Sequence, residues 1–198
     1  MADRSDTRGA HHRPFGLDAG YFDPDFRANA IPITLGEWRV CHRPNDMVTT
    51  VLGSCVAACV HDPVARVGGM NHFLLPGIPA EAEGGRSPCR YGAAAMDTLL
   101  DAVTAAGAVR DRLEVKLFGG ARVIDGGQDI GADNVAFALD YVAGAGLTLT
   151  GRDLGGTLGR RVMFFPATGR AYRRFMKADA AGVAQEVTHW RRLRYTVP

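Results

Sequence analysis

The 198-residue sequence is short of several features that would have assigned it to a class at once. No apolar run approaches the roughly 18 residues of a membrane-spanning helix, so direct insertion by that route is not expected. Met1 to Phe15 is polar and carries Arg and His in place of the apolar core of a secretory signal. A cytoplasmic location is therefore expected, where cysteines stay reduced. Charge of one sign is equally scarce. With 23 basic against 21 acidic residues the formal net charge is +2, which gives no argument for nucleic acid or an acidic membrane as partner. The four cysteines, at 41, 55, 59 and 89, include no C-x-x-C pair, a poor fit to a zinc site, and no metal or organic cofactor is expected. There is no internal repeat. Gly119-Gly120-Ala121 lacks the further spacing of a nucleotide-binding loop.

What is present is an ordinary globular balance, 46% hydrophobic and 22% charged, at a length that fits one domain with extra terminal segments. Residues 1–30 mix Arg, Asp, His, Gly and Pro with few regularly spaced apolar positions, and they read as a flexible extension. The domain itself is expected over 31–176. Residues 177–198 form a basic extension with a helix expected over Ala180–Leu193. Arg170, Arg173, Arg174, Lys177, Arg191, Arg192 and Arg194 crowd this end. They read as a solvated face or a contact with an acidic protein rather than a nucleic-acid tail.

Strands are expected at Trp38–His42, Met47–Leu52, Cys55–His61 and Val67–Leu75, where apolar and β-branched residues lie between turn signals. Ala95, Met96, Leu99, Leu100 and Val103 then take up helical spacing over Tyr91–Ala106, with Gly107 to end it. Leu113–Phe118 reads as a strand and Ala132–Val142 as a second helix with Val135, Leu139 and Val142 as its stripe. Leu147–Thr150, Arg161–Phe165 and Arg170–Phe175 read as further strands, the last two joined by Ala167-Thr168-Gly169. Strands in runs with two packed helices indicate an α+β layered sandwich rather than a regular βαβ sheet.

Cys55 follows Gly53-Ser54 where a turn gives way to a strand, which places backbone N–H groups near its sulfur. Such groups can hold an oxyanion and favour thiolate over thiol. A small buried residue is the other role open to it. Cys55–His61 and Val67–Leu75 flank the turn Asp62–Arg66. If they pair as an antiparallel hairpin centred between Pro63 and Val64, Cys55 falls almost opposite His72 on one face, within reach of a thiol–imidazole hydrogen bond. A slip of one residue would separate them. A third group usually orients the base. Thr49, Thr50 and Asn71 are the candidates, although β-branched residues belong in strands anyway. Ser54 could serve the oxyanion or simply make the turn, and Gly119 and Gly120 could give substrate close backbone access. His61 beside the turn is expected to be exposed. His42 and His189 carry structural or solvated readings, and His11 and His12 a solvated one.

In the motifs Leu52-Gly53-Ser54-Cys55-Val56-Ala57, Asp62-Pro63, Gly69-Met70-Asn71-His72-Phe73-Leu74-Leu75-Pro76 and Arg90-Tyr91-Gly92, the sequence resembles the CheD family of bacterial chemotaxis proteins, the chemoreceptor glutamine deamidases. Phe118-Gly119-Gly120-Ala121, Ile130-Gly131, Asn134-Val135, Asp153-Leu154-Gly155-Gly156 and Gly159-Arg160-Arg161 continue the likeness, which covers about Leu35 to Thr168. The resemblance implies Cys55 as nucleophile, His72 as general base and Thr49, six residues before the cysteine, as third member. It also implies an α/β/β layered fold, with mixed, largely antiparallel sheets, related to the cysteine hydrolase domain of cytotoxic necrotizing factor toxins. Activity on glutamines of methyl-accepting chemotaxis receptors is implied too, with possible receptor methylesterase activity, a CheC-type phosphatase as partner and a place in chemoreceptor arrays. Two rival classes remain from the residues alone, another thiol hydrolase such as a peptidase or transglutaminase-like enzyme, and a non-catalytic adaptor.

Overall fold

Alternating apolar positions become strands along most of the chain. The computed structural model describes residues 20–74, 91–123 and 129–176. Its strands are β1 (Tyr21–Asp23), β2 (Ala28–Pro32), β3 (Trp38–Cys41), β4 (Asp46–Leu52), β5 (Val56–Asp62), β6 (Val67–Asn71), β7 (Glu114–Gly119), β8 (Thr148–Leu154), β9 (Arg160–Phe165) and β10 (Arg170–Phe175). The helices are α1 (Gly92–Ala105) and α2 (Ile130–Gly144). One sheet runs in the order β1-β2-β4-β9-β10 and the other β3-β6-β5-β7-β8. Each is mixed: β2 and β4 are parallel in the first, β7 and β8 in the second, and the remaining neighbours are antiparallel.

Three layers result. Both helices cover one face of the second sheet, where Met96, Leu99, Leu100 and Val103 of α1 pack against Val56, Ala58 and Val60 of β5. The other face of β5 presents Ala57 and Cys59, which meet Val48, Leu52, Val162 and Phe164 of the first sheet. With protein on both sides, β5 is buried at every position, which is why Val56–Val60 is a continuous apolar run rather than an alternation. Each large side chain buried in these layers is worth about 1.5–3 kcal/mol. The mixed α+β class agrees with the expectation from sequence.

Several expectations need correction. Residues 1–30 read as a flexible extension, yet Tyr21–Asp23 and Ala28–Pro32 pair with each other and extend the first sheet beside β4. These strands are short, and β2 buries only Ala28 and Ala30, so no apolar pattern announces them. On α2 the buried face is Gly131, Asn134, Ala138 and Val142, with Val135 and Leu139 only partly buried beside it. His61 is buried rather than exposed, its Nδ1 2.7 Å from the Pro166 carbonyl oxygen and its ring under Gly169. Residues 1–19, Leu75 to Arg90, and the helix expected over Ala180–Leu193 with His189 lie outside the described residues.

The β5–β6 hairpin is also shifted. Asp62 pairs with Val67 and Cys59 with Met70, so the hairpin centre falls between Val64 and Ala65. Asp62 sets this register by belonging to the strand itself. Its side chain accepts hydrogen bonds from Val64 N and Ala65 N, and its carbonyl accepts one from Arg66 N. The turn therefore begins one residue later than the sequence reading placed it. The shift moves every partner by two residues, which preserves the face each side chain occupies.

Candidate active site

β4 belongs to the first sheet and β5 to the second, so Gly53-Ser54-Cys55 carries the chain from one layer to the other. That crossing puts Cys55 at the end of the intersheet layer, where it is 3% exposed. Val56 exchanges both backbone hydrogen bonds with Phe73, which sets Cys55 across from Leu74 and His72 across from Ala57. Val56 and Phe73 point into the core beneath the helices. By alternation Cys55 and His72 point the other way, toward the first sheet. They are diagonal neighbours on one face instead of directly opposed, a relation in which Cα atoms lie about 7–8 Å apart and longer side chains still meet.

The segment after β2 and Thr50 of β4 hold His72 from three directions. His72 N donates to Glu37 O and Gly36 N donates to His72 O, at 3.0 and 2.8 Å. On the side chain, Thr50 Oγ1 lies 2.9 Å from Nδ1 and donates to Ile33 O at 2.8 Å. The Ile33 carbonyl can only accept, so the single hydroxyl proton is committed to it. Nδ1–H must then be the donor to Thr50 Oγ1, which leaves Nε2 as the basic nitrogen of the neutral ring.

Thr49 is turned elsewhere. Its hydroxyl donates to Val162 O at 2.9 Å, a cross-strand contact with β9. Thr50, by contrast, shares its parity with Val48 and Leu52 and so faces the intersheet layer. The signal that could have separated the two threonines was this alternation, readable once Val48 and Leu52 are taken as core. Asn71 is likewise not brought to the thiol. It faces α1, its Oδ1 accepting from Ala58 N and its Nδ2 donating to Ala95 O, a fully used amide that pins the hairpin to the helix.

Gly53, Ser54, Gly119 and Gly120 do come together. Ala121 N donates to Gly53 O at 2.7 Å and Gly120 N to Cys55 O at 2.8 Å. The Gly119–Gly120 backbone can lie this close only because side chains are absent. A Cβ at Gly119 would stand 2.1 Å from Cys55 O, and both residues take positive φ, 112° and 67°. Asn134, in the buried stripe of α2, donates from Nδ2 to Ser54 O at 2.8 Å. No role for it was read from sequence. A polar residue four positions before Ala138 and eight before Val142 on a buried face was the available sign.

The other described thiols are held in the protonated form. Burial pushes Cys59 up steeply, and burial with the Asp46 carboxylate pushes Cys41 up to about 12.

No helix among the described residues is long and apolar enough to cross a membrane. A family model described as CheD chemotactic sensory transduction matches residues 74–175. A relative from Jannaschia sp. (strain CCS1), named probable chemoreceptor glutamine deamidase CheD, is 51% identical over 151 residues, covering 76% of this chain and 85% of its own. Relatives bearing the same name from Acidiphilium cryptum and Caulobacter vibrioides (strain NA1000 / CB15N) are 47% and 46% identical. The first covers 88% of this chain and 92% of its own, the second 80% and 84%. This chain belongs to the CheD family.

Proposed function

We propose that this chain hydrolyses the side-chain amide of glutamine residues in chemoreceptors, converting them to glutamate. The observation that carries the reading is the convergence of Cys55, His72 and Thr50 at one end of the intersheet layer. The relatives' name supplies the substrate. His72 Nε2 takes the proton of Cys55 Sγ, and the thiolate attacks the carboxamide carbon. Backbone N–H groups of the Ser54–Cys55 turn hold the oxyanion, a donor of this kind being worth about 3 kcal/mol. The C–N bond then breaks, the imidazolium gives its proton to the departing nitrogen, and ammonia leaves a thioester. Water attacks that carbonyl as the same imidazole accepts its proton; the C–S bond breaks, sulfur recovers a proton and glutamate is released. Thr50, rather than the Thr49 implied by family resemblance, keeps the imidazole in the productive tautomer.

A methyl ester fits the same cycle with methanol as leaving group, and receptor methylesterase activity is part of the proposal. So are docking to the helical cytoplasmic part of the receptor within its arrays, exchange with a CheC-type phosphatase, and kinship of the layered fold with the cysteine hydrolase domain of cytotoxic necrotizing factor toxins. Each new glutamate adds one negative charge and a methylation site to a receptor helix.

The test is to incubate purified receptor with wild type and with Cys55→Ala and follow its mass. A gain of about 1 Da per site, absent with the variant, supports deamidation, since N–H₂ is replaced by O–H on the same carbon. Cleavage of the receptor backbone would identify a peptidase instead, and unchanged activity in the variant would remove Cys55 from the chemistry.

A further inference from the structure

Three consecutive carbonyls of the nucleophile turn are tied to the second sheet and α2. Gly53 O accepts from Ala121 N, Ser54 O from Asn134 Nδ2 and Cys55 O from Gly120 N. No cis peptide bond occurs among the described residues. In a trans peptide the C=O and N–H of one unit point in opposite directions. Anchoring the Gly53 carbonyl toward the segment after β7 and the Ser54 carbonyl toward α2 therefore aims Ser54 N–H and Cys55 N–H away from those anchors. Two of these anchors are backbone to backbone and rest on the glycines that let the segment after β7 approach. The central one depends on a single side chain.

That side chain is costly where it sits. Asn134 is 0% exposed, and its Oδ1 has no hydrogen-bond partner among the described residues. A buried, unsatisfied amide oxygen destabilises the fold. An apolar residue would suit the Ala138–Val142 stripe of α2 better, so the Nδ2 donor is what distinguishes asparagine there. We infer that Asn134 is a positioning residue for the deamidation reaction, fixing and polarising the Ser54–Cys55 peptide so that Cys55 N–H meets the oxyanion. Donation into the Ser54 carbonyl strengthens the N–H of the same peptide as a donor. The inference rests on the thiol-hydrolase reading above.

The test compares wild type, Asn134→Ala and Asn134→Asp in the full chain, with purified receptor as substrate and iodoacetamide as a second probe of Cys55. Alkylation displaces iodide at a saturated carbon and builds no oxyanion, so it reports the placement and ionisation of the thiol and not the oxyanion site. With Asn134→Ala, kcat for deamidation falls on the order of 10²-fold with KM little changed, while the alkylation rate of Cys55 stays near wild type. Asn134→Asp keeps the side-chain volume but, when ionised, can only accept and so opposes the Ser54 carbonyl. Once protonated it donates. Its deamidation activity relative to wild type therefore rises as pH falls while its Cys55 alkylation relative to wild type stays level, whereas a merely structural role would restore both together. Should Asn134→Ala fold poorly, the divergence of these two ratios with pH decides alone. Wild-type kcat in both variants, or deamidation and alkylation falling in proportion, would overturn the inference. An inactive wild type with normally alkylated Cys55 would instead sink the underlying reading, and this inference with it.

Discussion

Thr50 Oγ1 stands 2.9 Å from His72 Nδ1 while donating to Ile33 O at 2.8 Å, and Thr49, one residue earlier, points to β9. The pair of threonines thus divides into one hydroxyl at the imidazole and one in the sheet. Replacing each by valine keeps shape and removes only the hydroxyl. Thr50→Val is expected to lower kcat for receptor deamidation on the order of 10- to 100-fold, because the imidazole loses its orienting partner. Thr49→Val should retain activity and cost about 1 kcal/mol of stability. Receptor mass measured over time, beside urea unfolding, checks both. The reverse pattern would return the role to Thr49.

Cys41 and Cys59 should be inert in the folded protein. Cys41 is held protonated up to about 12 and Cys59 higher still, both chiefly by burial, and only a thiolate is alkylated readily. Iodoacetamide at pH 8 is expected to leave their peptides unmodified until denaturant is added. Mass analysis of the digested protein would show otherwise if either takes part in chemistry.

Asp62 links the hairpin turn to the segment after α1. Its carboxylate meets the Arg112 guanidinium at 2.7 Å and accepts from Val109 N at 2.8 Å. The Arg112 hydrogen bond, helped by those from Val109, Ala65 and Val64, holds the Asp62 carboxyl well below the ordinary carboxylate range despite burial. A depressed folded-state pKa gives stability that is present above the unfolded value near 4 and is lost as pH falls through the folded one. Asp62→Asn should therefore be less stable than wild type at pH 7, with the gap narrowing below about pH 4. Urea midpoints taken from pH 7 to pH 3 read this directly, and a gap that stays constant with pH would rule the linkage out.

Gly119→Ala tests the docking beneath the nucleophile. The added methyl would meet Cys55 O at 2.1 Å on a residue with φ of 112°, so backbone must move at the thiol itself. A loss of roughly 1–3 kcal/mol in stability is expected, accompanied by a fall in kcat larger than that of Thr49→Val. Gly107→Ala is the control. Its φ of 105° is equally strained, but nothing lies within 4 Å of the added carbon, so it should cost stability without touching turnover.

The sequence by itself determined the elements with strong periodicity, since burial of one helix face or one strand face leaves a repeat of apolar positions. Ala95, Met96, Leu99, Leu100 and Val103 were read as one face of α1, and they are buried there. For Cys55 and His72 what was legible is that they share one face of a hairpin, because an error of two residues in register leaves the face unchanged. β1 and β2 were not legible. Both are short, β1 has no buried residue and β2 is buried only through Ala28 and Ala30, so pairing of β2 with β4 and of β1 with β2 is what makes them strands.

Alternation with Val48 and Leu52 separates Thr50 from Thr49, but the tertiary structure alone decided that a β4 hydroxyl reaches His72 and which amide reaches Ser54. Thr50 comes from the first sheet and Asn134 from α2, 22 and 80 residues from their partners. Contacts across layers depend on how sheets and helices stack, and neither periodicity nor turn chemistry encodes that stacking. Cys55 sits where the layers meet, so its neighbours arrive from parts of the chain that only the packed fold assembles.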